Sequence, residues 1–325
     1  MTPEDIILEA KVDLSKSFAP GSGQVLFAQY ALRAIPSSLP GKSEAVLSFV
    51  NALNAQPGAS INPEEEANIA TKLLSLFWDC RIHKNGTRIN QVDVSTATKR
   101  DPGTYPQFSG VLDPSDTDKL IKAVLCLPLD LARQVTRACH AFAFALEFMP
   151  EDPTFAFFLL VVAVECLSSQ DTVIPFSQLP PDKNKCERFC QYIKLYLCDQ
   201  FKGQDEKNDD LFTELLKTVY YAHRSAFVHG GKEVSRAALM ADQLKSSYFK
   251  HSVEQKEVRT PGLGWFARIV RGSLIGFLLS KGSSSDSIDA NLLSKLAAEK
   301  GQLSVKLKKD IQAGQVLTSG DIEYR

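Results

Sequence analysis

The stretch YAHRSAFVHGG, residues 221–231, holds an arginine and a histidine five positions apart, followed by two glycines. The guanidinium of Arg224 can donate two parallel hydrogen bonds to a phosphate group. The imidazole of His229 belongs to the side-chain type that takes up and releases protons near neutral pH. Charge neutralisation and proton transfer are the chemistry needed to break a phosphodiester bond, so the pair is a candidate catalytic site.

Helical geometry does not by itself bring these two side chains together. Residues five apart lie about 140° apart around an undistorted helix, at about 100° per residue. Gly230 and Gly231 can end the helix in a left-handed cap, which loosens the last turn and lets the long arginine side chain approach His229. The alternative is a structural role, in which His229 faces the negative helix end and Arg224 forms an ion pair. These residues alone leave both interpretations open.

Glu165 is the second candidate, because it is the only charged residue between Thr154 and Leu167. A carboxylate in so apolar a segment is costly unless a cation meets it. Arg224 is a candidate partner across a helical bundle. The alternative is that Glu165 faces solvent or pairs with a different base.

Helical periodicity provides the elements that must position these residues. After a predicted helix over 63–79, the chain from Asp130 onward favours five helices with short connections, which indicates an antiparallel helical bundle. Proline steps and flexible polar breaks delimit them. The predicted helices span 131–148, 153–169, 186–201, 209–230 and 264–280.

The fold class predicted for the whole chain is therefore mixed. Residues 1–128 are expected to form an α+β domain, with a short helix around 44–53 and a hairpin turn at Asn85-Gly86. Residues 129–282 are expected to form the all-α bundle. Residues 283–325 are expected to contain a linker, a short helix and a β tail made of two strands and a turn.

Composition excludes several classes of protein. The formal net charge is −1, so no global field attracts nucleic acid or membrane. The N-terminus lacks a secretory signal, and the longest apolar run, residues 155–164, is about half a membrane span, so we expect a cytoplasmic protein without a membrane partner. The seven cysteines include no C-x-x-C pair and are expected to be reduced core residues. Histidine and cysteine spacing predicts neither a metal site nor a cofactor.

A family resemblance rests on the candidate residues and their order. VECL lies in an apolar helix, YYAHRSAFVHGG follows after a variable middle, and WFARIVRGSLIGFLL forms the next long helix. This arrangement resembles the HEPN superfamily of nucleotide-binding helical domains, and most closely its ApeA-like branch with the signature R-S-x-x-x-H-G. The resemblance covers about residues 131–281.

The resemblance implies a homodimeric, metal-independent ribonuclease in which the 2′-hydroxyl of RNA attacks the phosphate. Arg224 would bind the scissile phosphate, His229 would act as acid or base, and Glu165 would support them. Many active families have Asn, Asp or His where this chain has Ser225. The protein would then be a toxin or antiviral effector whose N-terminal domain senses an unknown trigger. The alternative is a non-catalytic module for dimerisation or for nucleotide or RNA binding.

Two weaker sequence signals are a local excess of basic residues and a motif in the C-terminal tail. Basic residues outnumber acidic ones over residues 232–271, a bias that can follow a nucleic-acid backbone, so we predict substrate contacts from Arg268 and Arg271. Ser225, which follows Arg224 in the motif, is a third predicted substrate contact. In the tail, DIQAGQVLTSGDI resembles the start of an SAF module, the small β-clip of antifreeze-like and sialic acid synthase proteins. It covers only about 20 residues and indicates a docking or oligomerisation element.

Overall fold

A computed structural model gives the structure of the chain over defined ranges. Arg224, Ser225 and His229 lie outside them, as do the linker and the short helix predicted after residue 282. The described ranges are 7–14, 24–27, 30–35, 43–50, 63–92, 114–125, 127–168, 185–221, 236–244, 246–253, 256–282, 305–307 and 322–324.

The chain divides into two compact units. The first consists of Met1–Ala143 with Lys281–Glu299, and the second of Phe144–Ser280 with Lys300–Arg325. Helices make up most of the described residues, and two small two-stranded antiparallel sheets accompany them in the second unit. The predicted domain boundaries, after residues 128 and 282, stay predictions.

The first unit is built around an antiparallel sheet with the strand order β2-β3-β4-β1-β5. Strand β1 pairs with both β4 and β5, and its residues Ala10, Val12 and Leu14 are buried, as the period of two in a strand requires. The strands are β1 (Ile7–Leu14), β2 (Gln24–Phe27), β3 (Tyr30–Ile35), β4 (Ser43–Val50) and β5 (Ile82–Val92).

Two predictions for this unit are wrong, and pairing explains both. The segment predicted as a helix around 44–53 contains strand β4, which pairs with β1 on one side and β3 on the other. Asn85-Gly86 does not turn the chain into a hairpin but lies inside strand β5. In the pairing of β1 with β5, Val12 lies opposite Lys84 and Ala10 lies opposite Ile89. Strand β5 therefore has more residues than β1 between these two pairs, and the dipeptide lies in the resulting bulge.

The helices of the first unit are α1 (Pro63–Trp78) and α2 (Pro114–Leu125), and α3 (Leu129–Phe148) spans the boundary between the two units. Helix α1 confirms the prediction for 63–79. It ends at Trp78, and the next residue, Asp79, has a left-handed φ of 46°. The backbone N–H of Ile82 donates to Ser75 Oγ at 3.1 Å, which joins the helix to β5. Helix α2 was not predicted.

The second unit contains the predicted helices of the candidate site region. They are α4 (Pro153–Ser168), α5 (Lys185–Tyr196), α7 (Asp209–Thr218) and α9 (Leu263–Gly282). Helix α5 ends five residues before the predicted end at 201, and a 3-10 turn follows at Asp199–Phe201. The single turn α6 (Gln204–Lys207) lies in a segment that was predicted as a flexible polar break. The predicted start of α4 is confirmed in detail, because the N–H of Phe155 donates to Asp152 Oδ1 at 2.9 Å.

Residues 129–282 are not entirely helical, contrary to the prediction. A short helix, α8 (Arg236–Gln243), is followed by an antiparallel hairpin of β6 (Tyr248–Val253) and β7 (Lys256–Pro261). The segments YFKHSV and KEVRTP pair residue by residue from Tyr248 with Pro261 to Val253 with Lys256, and His251 Nε2 lies 2.8 Å from Thr260 Oγ1 across the pair. The predicted β tail is confirmed as a small antiparallel pair, β8 (Val305–Leu307) with β9 (Ile322–Tyr324).

Helix α9 packs at the centre of the second unit. Phe266 stacks on Phe157 of α4 with ring centroids 5.8 Å apart, and Phe189 of α5 lies 6.2 Å away. Within the described ranges, Leu263–Lys281 is the one helix long and apolar enough to cross a membrane. In this helix, 83% of the apolar stretch is buried inside the protein, which is the burial expected of a core helix.

Candidate active site

Helix α7 leads directly into the Arg224–His229 motif. It begins where predicted, with Asn208 Oδ1 accepting a hydrogen bond from Leu211 N at 3.1 Å, and buries Phe212, Leu215 and Leu216 in the second unit. After Thr218 the chain continues in a π-helical turn over residues 219–221. Such wider turns occur often at functional sites. The described part of this turn stops at Tyr221, three residues before Arg224 in the sequence.

The Glu165 carboxylate contacts this π turn. Tyr220 Oη donates a hydrogen bond to Glu165 Oε1 at 2.8 Å, which joins α4 to the end of the motif helix. Tyr220 is 5% exposed, and the ring of Phe189 packs on it with centroids 5.3 Å apart. A buried phenol and a carboxylate in an apolar helix thus satisfy one another. The predicted pairing of Glu165 with Arg224 involves a residue outside the described ranges and stays a prediction.

A buried arginine lies at the C-terminal end of the same helix. Arg188 of α5 is 2% exposed, and its Nε donates to the carbonyl oxygen of Ser168, the last residue of α4. A cation at this position complements the negative end of the helix dipole. Glu165 therefore lies one turn from a helix end that α5 holds in place.

Tyr221, the next residue, faces outward. It is 60% exposed, its ring lies edge-on to Tyr220 at 5.8 Å, and a hydrogen bond with the Cys186 thiol raises its pKa. A hydrogen bond with Cys190 lowers the pKa of Cys186, and the same contact raises the pKa of Cys190. Tyr221 also lines an open groove of about 570 Å³ on the outer face of α7, together with Asp210, Thr213, Glu214, Lys217 and Thr218.

The two arginines predicted to contact substrate make internal contacts instead of lining this groove. Arg268 of α9 forms an ion pair with Glu206 and donates to the carbonyl oxygen of Phe201. Glu206 is 5% exposed, and its Oε1 also accepts a hydrogen bond from Trp265 Nε1 at 2.6 Å. Arg271 is 2% exposed. Substrate binding by Arg268 and Arg271 stays a prediction, as it does for Ser225.

Sequence reasoning missed Tyr220, although a signal for it exists. Tyr220 precedes Arg224 by four residues, one helical turn, so it belongs to the face that the arginine was expected to use. An aromatic residue in an apolar stripe is usually a core residue, and pattern alone does not reveal that this phenol meets a carboxylate 55 positions earlier. Glu165 itself was predicted because it is a lone charge in an apolar helix.

No group of three or more His, Cys, Asp or Glu side chains that could hold a metal ion lies within the described ranges. Comparisons of the chain with protein-family models, with curated proteins and with solved structures find no match.

Proposed function

We propose that the chain is a metal-independent endoribonuclease of the HEPN type, in which the helices of residues 129–282 form an antiparallel HEPN-like bundle and two copies form the active dimer. The observation that carries the proposal is the 2.8 Å hydrogen bond between Tyr220 and Glu165. It brings the isolated carboxylate of α4 to the helix that leads into Arg224 and His229. On the resemblance, the biological role is that of a toxin or antiviral effector with an N-terminal sensing domain.

The proposed reaction uses only RNA and protein side chains. His229 takes the proton of a 2′-hydroxyl, whose oxygen attacks the adjacent phosphorus while the bond to the 5′-oxygen breaks. The leaving 5′-oxygen takes a proton from a protonated His229 imidazole, and the products are a 2′,3′-cyclic phosphate and a 5′-hydroxyl. Arg224 donates to the phosphate oxygens, where negative charge grows in the transition state. Glu165 supports Arg224 by charge and orientation.

The second candidate function is a non-catalytic helical module that forms dimers or binds a nucleotide. One observation favours it. Arg268 and Arg271 were expected to follow an RNA backbone, yet Arg268 pairs with buried Glu206 and Arg271 is itself buried. Fewer cations are then available to hold a polyanion, which weakens the case for a long RNA substrate.

Substitution of the motif residues separates the two candidates. We expect His229→Ala and Arg224→Ala to lower the cleavage rate of a mixed RNA by at least about 100-fold, because each removes a group required in the transition state. Gel analysis and end-group mapping of the products give the rate and detect the cyclic phosphate. EDTA should leave the rate unchanged.

His223→Ala is the matched control, since it removes an imidazole next to Arg224 that does not belong to the Arg224–His229 pair, and it should cleave as the wild type does. Equal cleavage by wild type and His229→Ala would contradict the nuclease proposal. No cleavage by either protein, with RNA binding retained, would favour the non-catalytic module.

A further inference from the structure

Three helices meet at the Glu165 carboxylate. Helix α4 supplies the carboxylate, the π turn after α7 supplies the phenol of Tyr220 at 2.8 Å, and α5 supplies the ring of Phe189 that packs on this phenol. The hydroxyl of a buried tyrosine is a directional donor, and its bond to a carboxylate belongs to the stronger, charge-assisted class. The contact therefore determines where the carboxylate lies relative to the helix that carries the motif.

We infer that Tyr220 is a positioning residue of the proposed ribonuclease site, holding the Glu165 carboxylate in the orientation in which it serves Arg224 and His229. This inference rests on the proposed function. A carboxylate accepts hydrogen bonds at two oxygens, so a donor fixed on Oε1 sets the direction in which Oε2 meets its other neighbours. Tyr220 is itself fixed, because Phe189 packs at 5.3 Å and the ring of Tyr221 packs edge-on at 5.8 Å.

The local backbone supports the same assignment. A π turn is a rare conformation, and Val219 in this turn is fully buried while Tyr220 is 5% exposed. The following residue, Tyr221, is 60% exposed, and the neighbour that raises the pKa of its phenol is the Cys186 thiol rather than the carboxylate. Two adjacent tyrosines thus have separate partners, and the chain offers a matched pair of single-atom deletions.

The first experiment compares Tyr220→Phe with Tyr221→Phe in RNA cleavage. Each variant loses one hydroxyl oxygen, but only Tyr220→Phe releases the carboxylate. We expect Tyr220→Phe to lower kcat by roughly 10- to 100-fold, the loss expected for one hydrogen bond to a charged group, with KM changed less than about threefold. Tyr221→Phe should keep the wild-type kcat.

In a Glu165→Gln background, adding Tyr220→Phe should cause no further loss of kcat, because Tyr220 acts through Glu165. A wild-type kcat for Tyr220→Phe in a wild type that cleaves RNA would overturn the inference.

The second experiment does not depend on activity. NMR of the full chain carrying ¹³C-labelled glutamate and histidine follows the side-chain signals of Glu165 and His229. Tyr220→Phe should shift both, Glu165→Gln should shift His229 in the same direction, and Tyr221→Phe should shift neither. If His229 does not respond to Tyr220→Phe or Glu165→Gln, the positioning role is wrong even if the chain cleaves RNA. If the signals respond but the wild type cleaves no RNA, positioning is supported and the ribonuclease proposal fails.

Discussion

At the scale of single residues, Asp242 shows two opposed effects on one carboxylate. Its oxygens accept hydrogen bonds from the backbone N–H groups of Leu263 and Gly264, both at 3.0 Å, and so cap the start of α9. Burial of the carboxylate outweighs these donors and raises the pKa of Asp242 to about 6. The cap is therefore a group whose charge changes in mildly acidic solution.

This pKa predicts a stability that falls as the pH rises. A folded-state pKa near 6 against an unfolded value of 3.8 means that the folded state binds the proton more tightly. The resulting stabilisation, about 3 kcal/mol, is present in full below pH 3.8, declines through the window up to about pH 6, and is absent above it. Urea unfolding between pH 3.5 and 7, compared with Asp242→Asn, measures it as the pH-dependent difference between the two proteins.

Asp210→Asn, which removes an exposed carboxylate from α7, is the control for this prediction. A free-energy difference between wild type and Asp242→Asn that stays constant over the same pH range would contradict it.

At the scale of elements, α9 approaches the turn after α5 more closely than most helices could. A Cβ at Gly276 would lie 2.0 Å from the carbonyl oxygen of Tyr196, and one at Gly272 would lie 2.6 Å from the Phe201 ring. The two glycines, four positions apart, lie on one face of α9 and let the backbones meet. Close packing therefore outweighs the low helix propensity of glycine at these positions.

We expect Gly276→Ala to destabilise the protein by about 2 kcal/mol or more, because the added methyl group meets backbone and α9 or its neighbour must shift. If helix propensity decided the outcome, Gly276→Ala would instead raise the free energy of unfolding by up to about 1 kcal/mol. The midpoint of urea unfolding measures the change.

Ser280→Ala, one turn further along the same face, removes only a hydroxyl that bonds to Phe277 O within its own helix and should change the free energy of unfolding by less than about 1 kcal/mol. If Gly276→Ala stabilised the protein, α9 and the end of α5 would be able to move apart without loss of free energy, which would contradict the prediction.

Elements with strong local signals were the ones that sequence predicted well. Proline at the first helical position identified the starts of α1 and α4, and a polar break followed by apolar periodicity identified the start of α7, because these signals act within a few residues. Strand β4 and the bulge at Asn85-Gly86 were missed, since pairing with β1 decides them and β1 is distant in sequence. The same distance hid Tyr220 as the partner of Glu165, although the lone charge itself was visible.

At the scale of the whole molecule, the proposed site requires two copies of the chain. We expect the wild type to be a dimer in sedimentation velocity, and excess His229→Ala protein to lower the wild-type cleavage rate when RNA is saturating, because mixed dimers contain an incomplete site. The same excess of an unrelated protein is the control. Full activity from a species that sediments as a monomer would contradict this prediction.

The distribution of tryptophan gives the protein two separate optical probes. The chain has two tryptophans, Trp78 at the end of α1 in the first unit and Trp265 at the start of α9 in the second. Both side chains are buried, and the indole N–H of Trp265 donates a hydrogen bond to the carboxylate of Glu206. Fluorescence of Trp78→Phe and Trp265→Phe proteins during denaturation therefore follows one unit at a time. Coincident transitions would mean that the two units melt cooperatively, and separate transitions that each is a folding domain in its own right.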